Sequence, residues 1–296
     1  MLGEMMDHEA MFYKKMDDDR VACGLCAHSC VIQNGKFGVC NVRQNVDGVL
    51  YTRAYGNPVA IHVDPIEKKP LYHFLPGTRA YSIATLGCNF KCGFCQNWQI
   101  SQIKDARGSS ERGASVSPRE IVDGAIRSRC QSIAYTYTEP TIFFEYAYDT
   151  SILAHERGIK NVFVTNGFIS EEPLAAISPY LDAANVDLKS FRDEYYRRIC
   201  KGRLQPVLST IARMKALGIW VEVTTLVVTG ENDSEEELHD IAGFIAGIST
   251  GIPWHISRFF PQYEYSDRSP TPLSTLRRAE EIGREHNLKH VHLGNV

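Results

Sequence analysis

From Arg79 onward, short runs dense in β-branched and aromatic residues alternate with longer stretches whose apolar residues recur at helical spacing. Strand-length runs separated by helical patterns are the mark of repeated βα units around a parallel sheet. Seven strands are predicted: Ala80 to Leu86, Ser132 to Thr138, Lys160 to Thr165, Ala183 to Leu188, Trp220 to Val228, Trp254 to Phe259 and His290 to Leu293. The helices between them carry start signals. Ser117-Pro118-Arg119-Glu120 joins an N-cap Ser, Pro at the first helical position and Glu at the third, opening a helix to Arg129. Ser234-Glu235-Glu236-Glu237 repeats the device and sets acids against the positive end of the next helix. Gly158 and Gly218 follow helical stretches as stops. Six strands and an edge strand are too few for a closed eight-fold barrel. The expected class is therefore α/β, an open partial (β/α)6 TIM-like barrel over residues 79–296. A small Cys-rich, metal-binding segment over residues 1–78 precedes it.

Composition narrows the setting. The 296 residues are 44% hydrophobic and 23% charged, ordinary globular usage and enough for one large domain plus a small one. Met1 to Arg20 has no uninterrupted apolar run, which argues against a signal peptide or a membrane span and for a cytoplasmic protein. A net charge of -3 argues against a nucleic-acid partner, since such proteins present a basic face. Nine cysteines in a reducing compartment read as thiolate ligands rather than disulfides.

Two cysteine sets carry the candidate chemistry. Cys88, Cys92 and Cys95 form a CxxxCxxC loop after the first predicted strand. Three converging thiolates leave one iron of a cubane cluster open to a non-protein ligand, and an open metal position implies catalysis. A zinc knuckle, a disulfide loop or three buried thiols are the structural alternatives. The second set, Cys23, Cys26, Cys30 and Cys40, suits a tetrahedral metal site in a segment too small to build its own core. Zinc is the first choice there, a second iron-sulfur cluster relaying electrons the functional alternative, and His28 a substitute ligand. Cys130 and Cys200, each alone near a helix end, read as packing thiols.

With Phe94 before its last cysteine, the CxxxCxxC loop resembles the signature of the radical S-adenosylmethionine (SAM) superfamily. The resemblance implies a [4Fe-4S] cluster that binds the amino and carboxylate groups of SAM and cleaves it to methionine and a 5′-deoxyadenosyl radical. It also implies the partial barrel. Cys23 to Cys40, the run Lys68-Lys69-Pro70-Leu71-Tyr72-His73-Phe74-Leu75-Pro76-Gly77 and Gly87 to Trp98 together resemble the AmmeMemoRadiSam-system radical SAM enzymes, over Cys23 to Val296. These are relatives of pyruvate formate-lyase activating enzymes, oxidoreductases that generate a glycyl radical. Memo-like and AMMECR-like proteins are the partners implied, with ferredoxin or flavodoxin as reductant. Members often continue into a tail with another Cys pair, which does not follow Val296 here.

Ligand sites of parallel βα folds gather at the carboxyl ends of strands. Glu139 ends the second strand, where a carboxylate can pair with the SAM ammonium or act as a helix-start charge. In related enzymes that stretch reads Gly-Gly-Glu-Pro, and here Tyr137 and Thr138 replace both glycines. Thr165-Asn166 and Asp187-Leu188-Lys189 resemble strand ends that contact SAM and a nearby cation in pyruvate formate-lyase activating enzyme. Val164 stands where that enzyme has an acid, which disfavours the cation; Asp187 and Lys189 remain candidates for the SAM ribose and carboxylate. Glu222 and Thr224 alternate toward a polar barrel interior and are expected to line the SAM pocket. His255 is a candidate for ribose or purine, or else a core histidine, and Arg258 for a substrate carboxylate, while Phe94 and Trp98 offer faces for adenine or cover the cluster from water and oxygen.

The expected reaction is hydrogen abstraction from a substrate, with glycine Cα of a partner protein one candidate. Radical modification of a small molecule or peptide is the alternative. A non-catalytic iron-sulfur electron-transfer or structural metal protein is the alternative of another class.

Overall fold

The computed structural model describes residues 8–104 and 115–296. Its centre is one eight-stranded sheet in strict chain order. The strands are β1 (Ala60–Pro65), β2 (Arg79–Ala84), β3 (Ser132–Tyr135), β4 (Lys160–Thr165), β5 (Ala183–Asp187), β6 (Trp220–Val227), β7 (Trp254–Arg258) and β8 (Val291–Gly294). β2 to β8 pair in parallel with their neighbours. β1 pairs antiparallel with β2, from Ala60 opposite Ala84 to Pro65 opposite Arg79. β1 and β8 do not pair, so the barrel is open. All seven predicted strands are present, Lys160–Thr165 with both ends as predicted and the others with ends displaced by at most three residues. The eighth, β1, lies within residues 1–78, so the barrel sheet begins before Arg79.

Buried runs explain the parallel order. β3 is buried at every position and β6 at six of eight, as expected where helices cover one face and the barrel interior the other. The covering helices include α1 (Pro118–Arg127), α2 (Phe144–Glu156), α3 (Leu204–Ala216), α4 (Glu235–Ile248) and α5 (Leu273–Glu285). Ser117 caps α1 as predicted, its hydroxyl accepting from Glu120 N–H while Glu120 accepts from Ser117 N–H at 2.7 Å. Ser234 caps α4 through Glu237 N–H, but the Glu237 carboxylate is spent elsewhere. It is buried and accepts from Ser190 Oγ and from Phe191 N–H at 2.8 Å. A tertiary anchor to the β5 exit loop has displaced half of a capping box. No helix among the described residues is long and apolar enough to cross a membrane.

Before β1 the chain builds two small antiparallel sheets of strands two to four residues long. Strands this short cannot stand alone. They dock on the barrel through buried Arg43, which pairs with Glu145 of α2 at 3.0 Å, and through Met11 N–H, which donates to the same carboxylate at 2.7 Å.

The run from Ile66 to Gly77 plugs the barrel floor. Glu222 of β6, fully buried, accepts from Tyr72 N–H (3.0 Å), His73 N–H (2.9 Å), Trp220 Nε1 (3.0 Å) and His255 Nε2 (2.6 Å). Asn185 Nδ2 donates to Pro70 O at 2.8 Å, and the His73 and His292 Nε2 atoms stand 2.8 Å apart. One buried carboxylate thus holds a loop and two strands together.

Candidate active site

The site forms above that plug, at the carboxyl ends of the strands. The β2 exit passes through Gly87 at φ +93°, a left-handed conformation that glycine adopts without cost. A Cβ there would stand 2.6 Å from Cys40 O and 2.7 Å from Val42 Cγ1, so only glycine lets the loop lie against the N-terminal segment. Cys88, Cys92 and Cys95 follow, all lining one cavity of about 580 Å³. Asn166 Nδ2 donates to Asn89 Oδ1 at 2.7 Å, Cys95 Sγ lies 3.1 Å from Ser101 Oγ, and Asn97 Nδ2 donates to Tyr137 O at 2.7 Å. These contacts pin both ends of the loop.

Burial raises the Cys88 thiol pKa well above its ordinary value, and burial raises that of Cys95. At Cys92 the main cause is contact with the Cys200 thiol, seconded by burial. The sequence reads Cys200 as a packing thiol near a helix end, and the structure packs it against Cys92. A π-helical turn, Tyr196–Cys200, ending in Lys201 at φ +58° carries it to the cluster loop, and no local signal announces such a turn.

Glu139 faces the cavity and is also the N-cap of Pro140–Phe143, so the helix-start reading of it holds. Its Oε1 accepts from Thr141 N–H (3.0 Å), Thr141 Oγ1 (2.6 Å) and Thr165 Oγ1 (2.7 Å); Oε2 accepts only from Asn166 N–H (2.8 Å). Oε2 therefore keeps acceptor capacity. Burial raises the Glu139 pKa, with these donors opposing. Tyr137, at the position of a family glycine, sits at φ +63°. Its ring covers Lys69 at 4.3 Å, and Lys69 Nζ pairs with Asp64 at 2.7 Å beneath it. The Tyr137 hydroxyl donates to the same carboxylate.

Thr165, Asn166, Asp187, Lys189, Thr224 and Phe94 all line the cavity. Lys189 Nζ pairs with Asp187 at 2.8 Å and lies 5.8 Å over Phe94. Burial opposes its charge, but Asp187 and Cys92 outweigh it and hold its pKa well above the ordinary value. Thr224 Oγ1 and Asn89 Nδ2 are buried without a partner. Of the two, Thr224 lines the cavity, and an orphan hydroxyl on the wall of a cavity of cofactor size suits a polar ligand.

Four expectations are corrected. His255 is not on the cavity lining; it lies one layer lower, bonded to Glu222, because inward positions two apart on a strand stack into layers. Glu222 is likewise part of the floor. Arg258 turns away, its Nε donating to Thr271 O at 2.7 Å, and Trp98 stacks on Tyr263 with centroids 5.1 Å apart. Among the described residues no group of three or more His, Cys, Asp or Glu is arranged to hold a metal ion, so thiols of either cysteine set would have to turn to take one up.

The profile of the Radical SAM superfamily matches residues 82–245, from β2 into α4. The chain belongs to that superfamily. An uncharacterised protein of Methanocaldococcus jannaschii, MJ0808, is 47% identical over 289 residues, covering 97% of this chain and 85% of the relative. A second uncharacterised protein of that organism, MJ0674, is 22% identical over 182 residues, covering 60% of this chain and 48% of the relative. The fold is similar to Streptococcus suis SuiB bound to S-adenosylmethionine, with TM-score 0.56 and 15% identity over 71% of this chain and 48% of that one. It is also similar to a radical SAM methyltransferase from Sphaerobacter thermophilus, with TM-score 0.55 and 16% identity over 75% of this chain and 68% of that one. Superfamily membership implies a [4Fe-4S] cluster and SAM, and the three thiols and the unpaired Thr224 hydroxyl of this cavity fit both.

Proposed function

We propose that this radical SAM enzyme takes a hydrogen atom from a substrate carbon, with glycine Cα of a partner polypeptide as the first candidate. The observation that carries the reading is the convergence of three cysteine thiols, the Glu139 Oε2 with acceptor capacity beyond its bond from Asn166 N–H, and the unpaired Thr224 hydroxyl on one cavity. A [4Fe-4S] cluster on Cys88, Cys92 and Cys95 supplies, when bound, the electron for SAM cleavage. Glu139 Oε2 is placed to accept from an ammonium group, a charge-assisted bond strengthened by burial. Asp187 suits ribose hydroxyls, and Lys189 a carboxylate. Thr224 Oγ1 gains the partner it lacks. Phe94 and Leu226 keep this end of the cavity apolar, which protects a reactive species from water.

The decisive assay is formation of 5′-deoxyadenosine from SAM by anaerobically reconstituted protein with a low-potential reductant, beside Cys92→Ala. Product from the wild type alone supports the reading; a full cluster with bound SAM and no product in the presence of candidate substrates counts against it. Memo-like and AMMECR-like proteins are the partners to add, and ferredoxin or flavodoxin the reductants. A glycyl radical signal on the partner would separate protein activation from modification of a small molecule or peptide.

A further inference from the structure

The N-terminal cysteines form a second constellation that the cavity does not use. Cys23 lies on the strand Val21–Cys23, Cys26 and Cys30 flank the turn that follows, and Cys40 comes from the loop before Arg43–Val46. The backbone brings them together: Cys23 N–H donates to Cys30 O at 2.9 Å, Ser29 N–H to Cys26 O at 3.0 Å, and Asn41 N–H to Gly38 O at 2.9 Å. A Cβ on Gly38 would stand 3.7 Å from Cys30 Sγ, so the loop bearing Cys40 passes directly over that sulfur. Cys23, Cys30 and Cys40 all act electrostatically on Cys26. All nine cysteines are free thiols, so no disulfide competes for these four.

The independent observation is Arg43. Its guanidinium is 1% exposed, yet Nε and Nη1 have no hydrogen-bond acceptor, and it interacts electrostatically with Cys23, Cys40 and Cys26. Glu145 and Met11 O occupy only Nη2. A fully buried guanidinium with idle N–H groups beside four thiols is costly unless anionic sulfur accepts from it. Four thiolates around a divalent ion keep a formal excess of negative charge, which is what such an arginine balances.

We propose that Cys23, Cys26, Cys30 and Cys40 hold a four-thiolate metal centre, of zinc or iron, with Arg43 as its buried counter-charge. The centre would key the N-terminal segment to the catalytic loop. His28, between two of the ligands, donates from Nε2 to Asn89 O at 2.7 Å, next to Cys88. Cys40 O is the atom that Gly87 must approach. The proposal stands apart from the reading of the cavity, because its site can be examined with the catalytic cluster removed.

The test is metal analysis and X-ray absorption on full-length protein carrying Cys88→Ala, Cys92→Ala and Cys95→Ala. The expected result is about one metal per chain with four sulfur neighbours near 2.3 Å for zinc. Iron would instead show sulfur-to-iron charge-transfer bands, and either metal upholds the site. Absence of bound metal, or a mixed nitrogen and sulfur shell that admits His28, overturns it. Arg43→Gln should weaken metal retention against a chelator by about 10- to 100-fold, as loss of outer-sphere partners does. Unchanged retention would remove Arg43 from the proposal.

Discussion

Glu139 accepts four hydrogen bonds while almost entirely buried, and every donor is fixed by its own element. An amide cannot match that set, since its NH2 would meet one of the donors. Glu139→Gln should cost about 1–3 kcal/mol of stability. It should also weaken SAM binding at least about tenfold, the worth of one charge-assisted bond; calorimetric titration and thermal melts check the two effects. Gly87→Ala acts differently, because its Cβ would collide with the Cys40 carbonyl, which cannot swing aside, as well as with the Val42 side chain. Strain of about 1–3 kcal/mol at a forced left-handed residue is expected. Iron content after reconstitution should fall with it, while Gly77→Ala, which meets no atom within 4 Å, should leave iron unchanged.

The Ile66–Gly77 plug stands on Glu222, and its acid response follows from two groups. Burial alone would raise the Glu222 pKa, but donation from His255, Trp220, His73 and Tyr72 outweighs it and lowers the value. Burial, with His255 and His73 nearby, pushes the His292 pKa down to about 4. An unfolded chain binds a proton on that imidazole below about pH 6.5, whereas the folded chain does so only near pH 4. Stability therefore falls as pH drops through this window and is flat above it with respect to His292. Glu222 extends the loss below the ordinary carboxylate range, where its folded-state ionisation is finally reversed. Denaturant midpoints measured from pH 7 to 4 should decline, and His292→Asn should flatten the slope above pH 4; an unaltered slope would reject the assignment. At this scale the sequence was legible where one element decides its own fate. Strand existence followed from apolar runs, and Ser117 and Glu120 made their box because nothing else claims them. The second box failed because Glu237 is more useful to the Ser190 loop, and β1 escaped notice because its burial pattern is largely open to solvent. The positions of His255 and Arg258 depended on layer and rotamer, which a linear pattern does not encode. Cys88, Cys92 and Cys95 were legible because one short loop contains all three.

Across the whole molecule, the N-terminal segment and the barrel share walls. Glu145 receives Arg43 and Met11, Arg203 donates to Ala27 O, Ala27 N–H donates to Phe168 O at 3.0 Å, and His28 reaches the cluster loop. Removing residues 1–59 would strip Glu145 of Arg43 and of Met11 N–H and uncover apolar barrel surface, including Phe144, on which Phe12 packs. The shortened chain should lose most of its reconstituted iron and become protease-sensitive around the cluster loop, checked by iron analysis and limited digestion. An intact cluster in that chain would show the two parts to be independent.

The plugged floor has a kinetic corollary. With Pro70 to His73 bonded to β5 and β6, the described residues close the floor of the chamber, and the unpartnered Thr224 Oγ1 stands on its wall. Whatever binds low must arrive before whatever binds at the rim and depart after it. Turnover should then obey an ordered, last-in-first-out queue, in which a slow rim occupant traps spent nucleoside beneath it.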